Sequence, residues 1–218
     1  MKYRAILLFG APGAGKGTQG KILGQIPNFA HFSCGEAFRN LRVDSALGRV
    51  FVEFASRGQL VPDEPTIELW RQSIDGMIAT NRFNPEADTL LLDGIPRNPN
   101  QVRILEDLID VKAIFNLFCP VVDRLIARLQ RRALKENRLD DANVEVIRAR
   151  LETYRRETRA VLNCYPDTLI HQIDSTQEPL YVLLDILKIL ARIPKPAVSD
   201  GNTTFLRRED LAPAGGLA

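Results

Sequence analysis

No apolar run in this chain approaches the ~18 residues that a membrane-crossing helix needs. The opening MKYRAILLFGAPG also lacks the long apolar segment and small-residue cleavage site of a secretory signal. A membrane role is therefore not expected, and a cytoplasmic address is. Cysteines are few and scattered: Cys34, Cys119 and Cys164 show no CxxC spacing, which excludes both a disulfide framework and a zinc site and leaves reduced thiols. The two histidines, His31 and His171, fall in apolar runs and are expected as packed core residues rather than ligands. Neither sign of charge dominates, since 29 basic side chains face 27 acidic ones for a net +2. That balance excludes a broad single-sign surface of the kind that binds nucleic acid or membranes. With 45% apolar residues in 218, the chain can bury one substantial core, and charge points to a local binding site.

Five short apolar runs punctuate the chain: YRAILLF at 3–9, FAHFS at 29–33, TLLLD at 89–93, KAIFNLF at 112–118 and TLIHQI at 168–173. Helical patterns separate them, so the expected architecture is α/β, a parallel sheet wrapped by helices. Leu47, Val50, Phe51 and Phe54, and again Val144, Ile147, Leu151, Tyr154 and Val161, recur at helical spacing and form core faces. Asn98 followed by Pro99 reads as a cap and first-turn proline, Gly58 as the stop of a helix ending at Arg57, and the helix opening near Asp63 as a capped one. After Pro194 periodicity is lost and Pro, Gly, Ser and Asn accumulate, so 194–218 is expected as an extended or disordered tail on a core of residues 1–193.

The segment GAPGAGKGTQ, Gly10 to Gln19, follows a continuous apolar strand and opens a helix. Glycines there let successive N–H groups curl around phosphate oxygens, the helix N-terminus adds partial positive charge, and Lys16 reaches the outer phosphates. Gly17 occupies the slot where the general pattern carries Ser or Thr, and the hydroxyl arrives one residue later at Thr18. The motif predicts a nucleoside triphosphate site.

In this form the loop resembles that of the adenylate kinase and nucleoside monophosphate kinase family, and further segments match in the family's order. SCGEAFR at 33–39, GQLVPDE at 58–64, LLDGIPRN at 91–98, and NRLDD with RARLETY within 137–154 are similar to its STGDLLR, GKLVPDE, LLDGFPRT, GRxDD and KRLxxY. The likeness spans about residues 3–190. It implies a three-layer P-loop NTPase fold with a five-stranded parallel sheet, a helical monophosphate-binding insert at 33–62 and a short lid at 128–138. The implied reaction is reversible phosphoryl transfer from MgATP to a nucleoside monophosphate, in a monomer, with Mg2+ and without zinc.

Residue by residue, the resemblance implies that Gly13, Ala14, Gly15, Lys16, Gly17 and Thr18 cradle ATP, with Arg124 stacked on its adenine and Gln177 beside it. Cys34, Arg39, Gln59, Val61, Gly94, Arg97 and Gln101 would bind the monophosphate, and Asp93 would hold Mg2+ through water. Lys16, Arg97, Arg128, Arg138 and Arg150 would converge on the transferring group. Ten arginines lie between 124 and 159 among six acids, most of them expected on a salt-bridged helical surface, with the contact of Arg131 and Arg132 left open. A guanidinium fork suits a phosphate better than an ammonium does. No general base is needed, because an acceptor phosphate is already ionised.

Gln101 favours AMP, since an amide offers a donor and an acceptor to the adenine edge. Asn98 after Arg97 is more like the UMP/CMP branch, and Cys34 reads equally as a packed thiol or a base contact. A UMP/CMP kinase and a non-catalytic nucleotide-binding protein therefore stand as the alternatives.

Overall fold

The computed structural model describes residues 1–136, 141 and 143–194. Five strands form one sheet, β1 (Tyr3–Gly10), β2 (Phe29–Ser33), β3 (Thr89–Asp93), β4 (Ile109–Phe118) and β5 (Ile170–Asp174), in the order β2-β3-β1-β4-β5. All four strand pairings are parallel. The helices are α1 (Lys16–Leu23), α2 (Cys34–Arg39), α3 (Ala46–Ala55), α4 (Asp63–Ala79), α5 (Pro99–Leu105), α6 (Val122–Glu136), α7 (Val144–Thr153) and α8 (Pro179–Leu190). A π-helical turn (Tyr154–Thr158) and two 3-10 turns (Arg159–Cys164, Asp167–Leu169) join α7 to β5.

The continuous apolar run of β1 follows from burial on both faces. Ala5, Leu7 and Phe9 pack on one side with Trp70, Phe83 and Leu105, while Ile6 and Leu8 pack on the other with Leu23, Phe115, Leu125 and Val182. The two half-cores fix the sheet between helical layers. They leave the carboxyl ends of the strands as one open rim, the place where α/β sheets bind ligands. Among the described residues no helix is long and apolar enough to cross a membrane.

Local signals explain most boundaries. Asn98 caps α5 by accepting from the Gln101 N–H at 2.8 Å, with Pro99 in the first turn. Gly58 sits at φ +67°, and α3 stops at Ala55, two residues short of the expected end at Arg57; Gln59 N–H reaches back to Phe54 O at 3.0 Å. Such a closing bond needs a left-handed residue, which glycine supplies.

Three expectations change. The N-cap of α4 is Pro62 and no side chain caps it; Asp63 instead accepts the amides of Asn98 (2.7 Å), Asn100 (2.7 Å) and Gln101 (2.8 Å), tying α4 to α5. His31 and His171 are half-buried rather than core. His31 fits over α1 only because Gly20 has no side chain, for a Cβ there would fall 2.3 Å from its Nε2. Finally, residues 128–136 do not form a loop: they extend α6. The remainder of the expected lid, 137–138, and the tail from 195 lie outside the described residues.

Candidate active site

A cleft of about 680 Å³ opens along the carboxyl rim. The loop between β1 and α1 forms its floor, with Gly13 and Gly15 at φ +85° and +99°, where a side chain would be strained. Lys16 folds back into this loop and its Nζ donates to Gly10 O (2.7 Å) and Ala11 O (3.2 Å). Burial pulls its pKa down from 10.5 to about 8, with Asp93 acting in the opposite direction and Arg97, Arg132 and Arg150 pulling it further down. Three guanidiniums from three separate segments therefore share the field of one lysine.

Each is held by a local device. Arg97 donates through Nε to Gly94 O at 2.7 Å, and Gly94 leaves room for it, since a Cβ there would meet Arg97 Nη2 at 2.9 Å. The Arg97 backbone N–H donates to Gln101 Oε1 at 2.7 Å. Arg132 and Arg150 grip opposite oxygens of Asp141, which is wholly buried; Arg132 donates through Nε at 3.0 Å, and Arg150 pairs through Nη1. Thr153, the last residue of α7 and three residues after Arg150, donates to Gly58 O at 3.0 Å and ties α7 to the segment before α4. Arg128 donates to Ser175 O at 2.9 Å, and Gln177 to Asp174 O at 3.0 Å and Asp185 at 3.1 Å.

Of the residues singled out in the sequence, Gly13 through Gly17, Thr18, Arg39, Gln59, Asp93, Gly94, Arg97, Arg128, Arg150 and Gln177 all line this cleft. Four do not. Cys34, Val61 and Gln101 are buried in the fold, and burial pushes the Cys34 thiol up. Arg124 is exposed on the first turn of α6 and outside the cleft, whereas Arg128, one turn on, lines it. Arg138 lies outside the described residues.

Arg132 and Asp141 were not legible as a pair. Arg132 could have been found, because it stands four residues after Arg128 and shares its helix face. Asp141 is the last residue of the NRLDD segment that resembles the family's GRxDD, but nothing local in the sequence marks it for burial.

The family model described as "Adenylate kinase" matches residues 8–170. The chain belongs to the adenylate kinase family. It is 34% identical to an adenylate kinase of Corynebacterium urealyticum over 76% of this chain and 88% of that one. It is 30% identical to an adenylate kinase of Porphyromonas gingivalis over 87% and 97%. With a UMP-CMP kinase of Bos taurus it shares 31% identity over the same 87% and 97%.

For an adenylate kinase family member the site is suited to Mg2+. Asp93 stands at the end of β3 as one buried carboxylate facing the loop, its Oδ2 within ordinary contact, 3.5 Å, of where a Cβ on Gly17 would lie. Mg2+ prefers one or two carboxylates, several waters and substrate phosphates over an all-protein cage. Among the described residues no group of three or more His, Cys, Asp or Glu forms such a cage.

Proposed function

We propose that this chain transfers the γ-phosphoryl group of MgATP to a nucleoside monophosphate, with AMP the preferred acceptor. The observation that carries this is the convergence of Lys16, Arg97, Arg132 and Arg150 about one cleft floored by a phosphate-binding loop. A cluster of that kind neutralises charge spread over a transferring phosphoryl group and holds both outer oxygens in line. Lys16 and the loop N–H groups bind the ATP phosphates. Arg97, with Arg39, grips the acceptor phosphate, whose oxygen attacks the γ-phosphorus as the bond to the ADP oxygen breaks. Arg132 and Arg150 face the transferring group between donor and acceptor; Arg138, assigned to the same role by resemblance, lies outside the described residues. Arg124 is assigned to the adenine of ATP by resemblance, and Arg128, which lines the cleft one turn on, to the phosphate side. Asp93 would hold Mg2+ through water, and the ion would supply charge neutralisation for the triphosphate. Closure of the 33–62 segment over the acceptor would exclude water, which would otherwise divert transfer to hydrolysis.

Gln101 retains the means to read a base. Its side chain is buried behind the cleft, giving one N–H to Asp63 and one lone pair to the Arg97 N–H; a second N–H and a second lone pair would meet the adenine edge only once the acceptor segment rearranges around the base. Asn cannot span the same two anchors, so Gln101→Asn is expected to lower kcat/KM for AMP relative to CMP by about tenfold, the order of one lost buried hydrogen bond. Initial rates on the two acceptors check it, and an unchanged ratio would remove Gln101 as the reader. The pyrimidine reading draws on the Bos taurus relative and on Asn98. Initial rates with ATP, magnesium and each of AMP, CMP, UMP and GMP decide between them.

The Lys16 pKa sets a pH limb. In the free protein the ammonium loses its proton above pH about 8, so kcat/KM for ATP is expected to fall above that pH, and Lys16→Arg should move the limb upward. Stability runs the other way. Between about 8 and 10.5 the unfolded chain keeps the proton that the folded one has released, so the Lys16 penalty fades across that window as pH rises. Denaturation of wild type against Lys16→Met over this range should show the gap closing.

A further inference from the structure

A second cleft, of about 830 Å³, lies at the far edge of the sheet between the ends of β4 and β5 and the turns that follow α7. Tyr154 stands in the wall between the two clefts, and nothing in the transfer reaction uses the second. On its floor Asn116 and Gln172 are register neighbours on β4 and β5, and Asn116 Nδ2 donates to Gln172 Oε1 at 2.8 Å. That bond leaves Asn116 Oδ1 as an acceptor and Gln172 Nε2 as a donor side by side. An adjacent donor and acceptor is the complement of a nucleobase edge or a carboxamide.

The rim supplies the rest of a nucleotide's chemistry. Phe118 keeps 55% of its surface open at the cleft, an aromatic face on which a base can stack. Arg159 is exposed and has no ion pair among the described residues, and Arg155 is held only by a 3.8 Å contact to exposed Glu152. Two guanidiniums so loosely engaged are ready to take a phosphate. Asp167, on the same rim, opposes the anion but accepts from ribose hydroxyls. The volume falls within the ~300–1,000 Å³ of small-molecule sites.

We infer that this second cleft is a binding site for a nucleoside monophosphate, its base on Phe118 and the Asn116–Gln172 pair and its phosphate on Arg155 and Arg159. The inference does not rest on the acceptor identity proposed above. The cleft carries no glycine-rich loop and no buried lysine, so it binds without transferring.

The test is photolabelling of the full chain with 8-azido-AMP, with and without excess MgATP, followed by peptide mapping. Saturable label is expected on the Phe118–Pro120 or 159–163 peptides and should survive MgATP. Gln172→Ala and Arg159→Ala, both at exposed positions, should each raise the half-saturating concentration by about tenfold or more while leaving the kcat for phosphoryl transfer unchanged. Label confined to the loop cleft, or label at the second cleft that neither variant weakens, would overturn the inference.

Discussion

Replacing Lys16 by methionine is expected to lower kcat by about a thousandfold while leaving the melting temperature unchanged or slightly raised. The two effects separate because the ammonium serves the reaction and not the fold. In the resting protein it is satisfied by two loop carbonyls, and its depressed pKa records a cost of burial that the neutral methionine does not incur. In the transition state the same charge faces oxygens that gain negative charge, and removing one preorganised donor of that kind costs ~10²–10³ in rate. Steady-state kinetics and thermal denaturation on the same preparation check both halves. A variant that loses activity and melts markedly earlier would place Lys16 in the fold instead.

Arg150→Met is expected to be nearly as damaging, by ~10²-fold or more in kcat, and here stability should fall as well. Asp141 is wholly buried and shared between Arg132 and Arg150. Taking one cation away leaves a buried carboxylate with a single guanidinium, at a cost of roughly 1–3 kcal/mol. The remaining pair with Arg132 keeps the loss below that of a fully orphaned charge. Arg148→Met, two residues away and exposed on another helix face, is the control and should change neither quantity. Equal effects at the two positions would mean that the arginines of α7 act as surface charge.

Much of the scaffold was legible because its signals are local. All five strands stand where the apolar runs put them: β1, β2 and β3 coincide with their runs to within a residue, whereas β4 begins three residues before Lys112 and β5 two residues after Thr168. The Asn98 cap and the phosphate-binding loop depend on chemistry within a few residues, and they too formed as read. The failures lie where the answer depends on residues distant in sequence. Asp63 has the position of a capping acid, but the amides of a helix 35 to 38 residues on compete for its carboxylate. Arg124, Arg128 and Arg132 share one helical face, and periodicity cannot say which turn of α6 meets the cleft; the packing of α6 on β4 and α7 decides that. The segment 128–136 carries no glycine or proline, and by that local rule continues as helix, a signal that the expectation of a lid overrode.

Asp141 shows the same limit from the other side. Nothing within its own neighbourhood marks it for complete burial, since aspartate is ordinarily exposed. Its place follows from α6 and α7 bringing two arginines to one point. The resulting ion-pair node fixes Arg132 and Arg150 before any substrate arrives, which spares part of the ordering cost at the moment of reaction.

The most direct measurement follows the label from γ-32P-ATP mixed with magnesium, AMP and the purified chain. Transfer in one step between two bound nucleotides is expected to place the label on the β-phosphate of the newly formed ADP, with little inorganic phosphate. Label released as inorganic phosphate, or retained on ATP whichever monophosphate is supplied, would contradict the account.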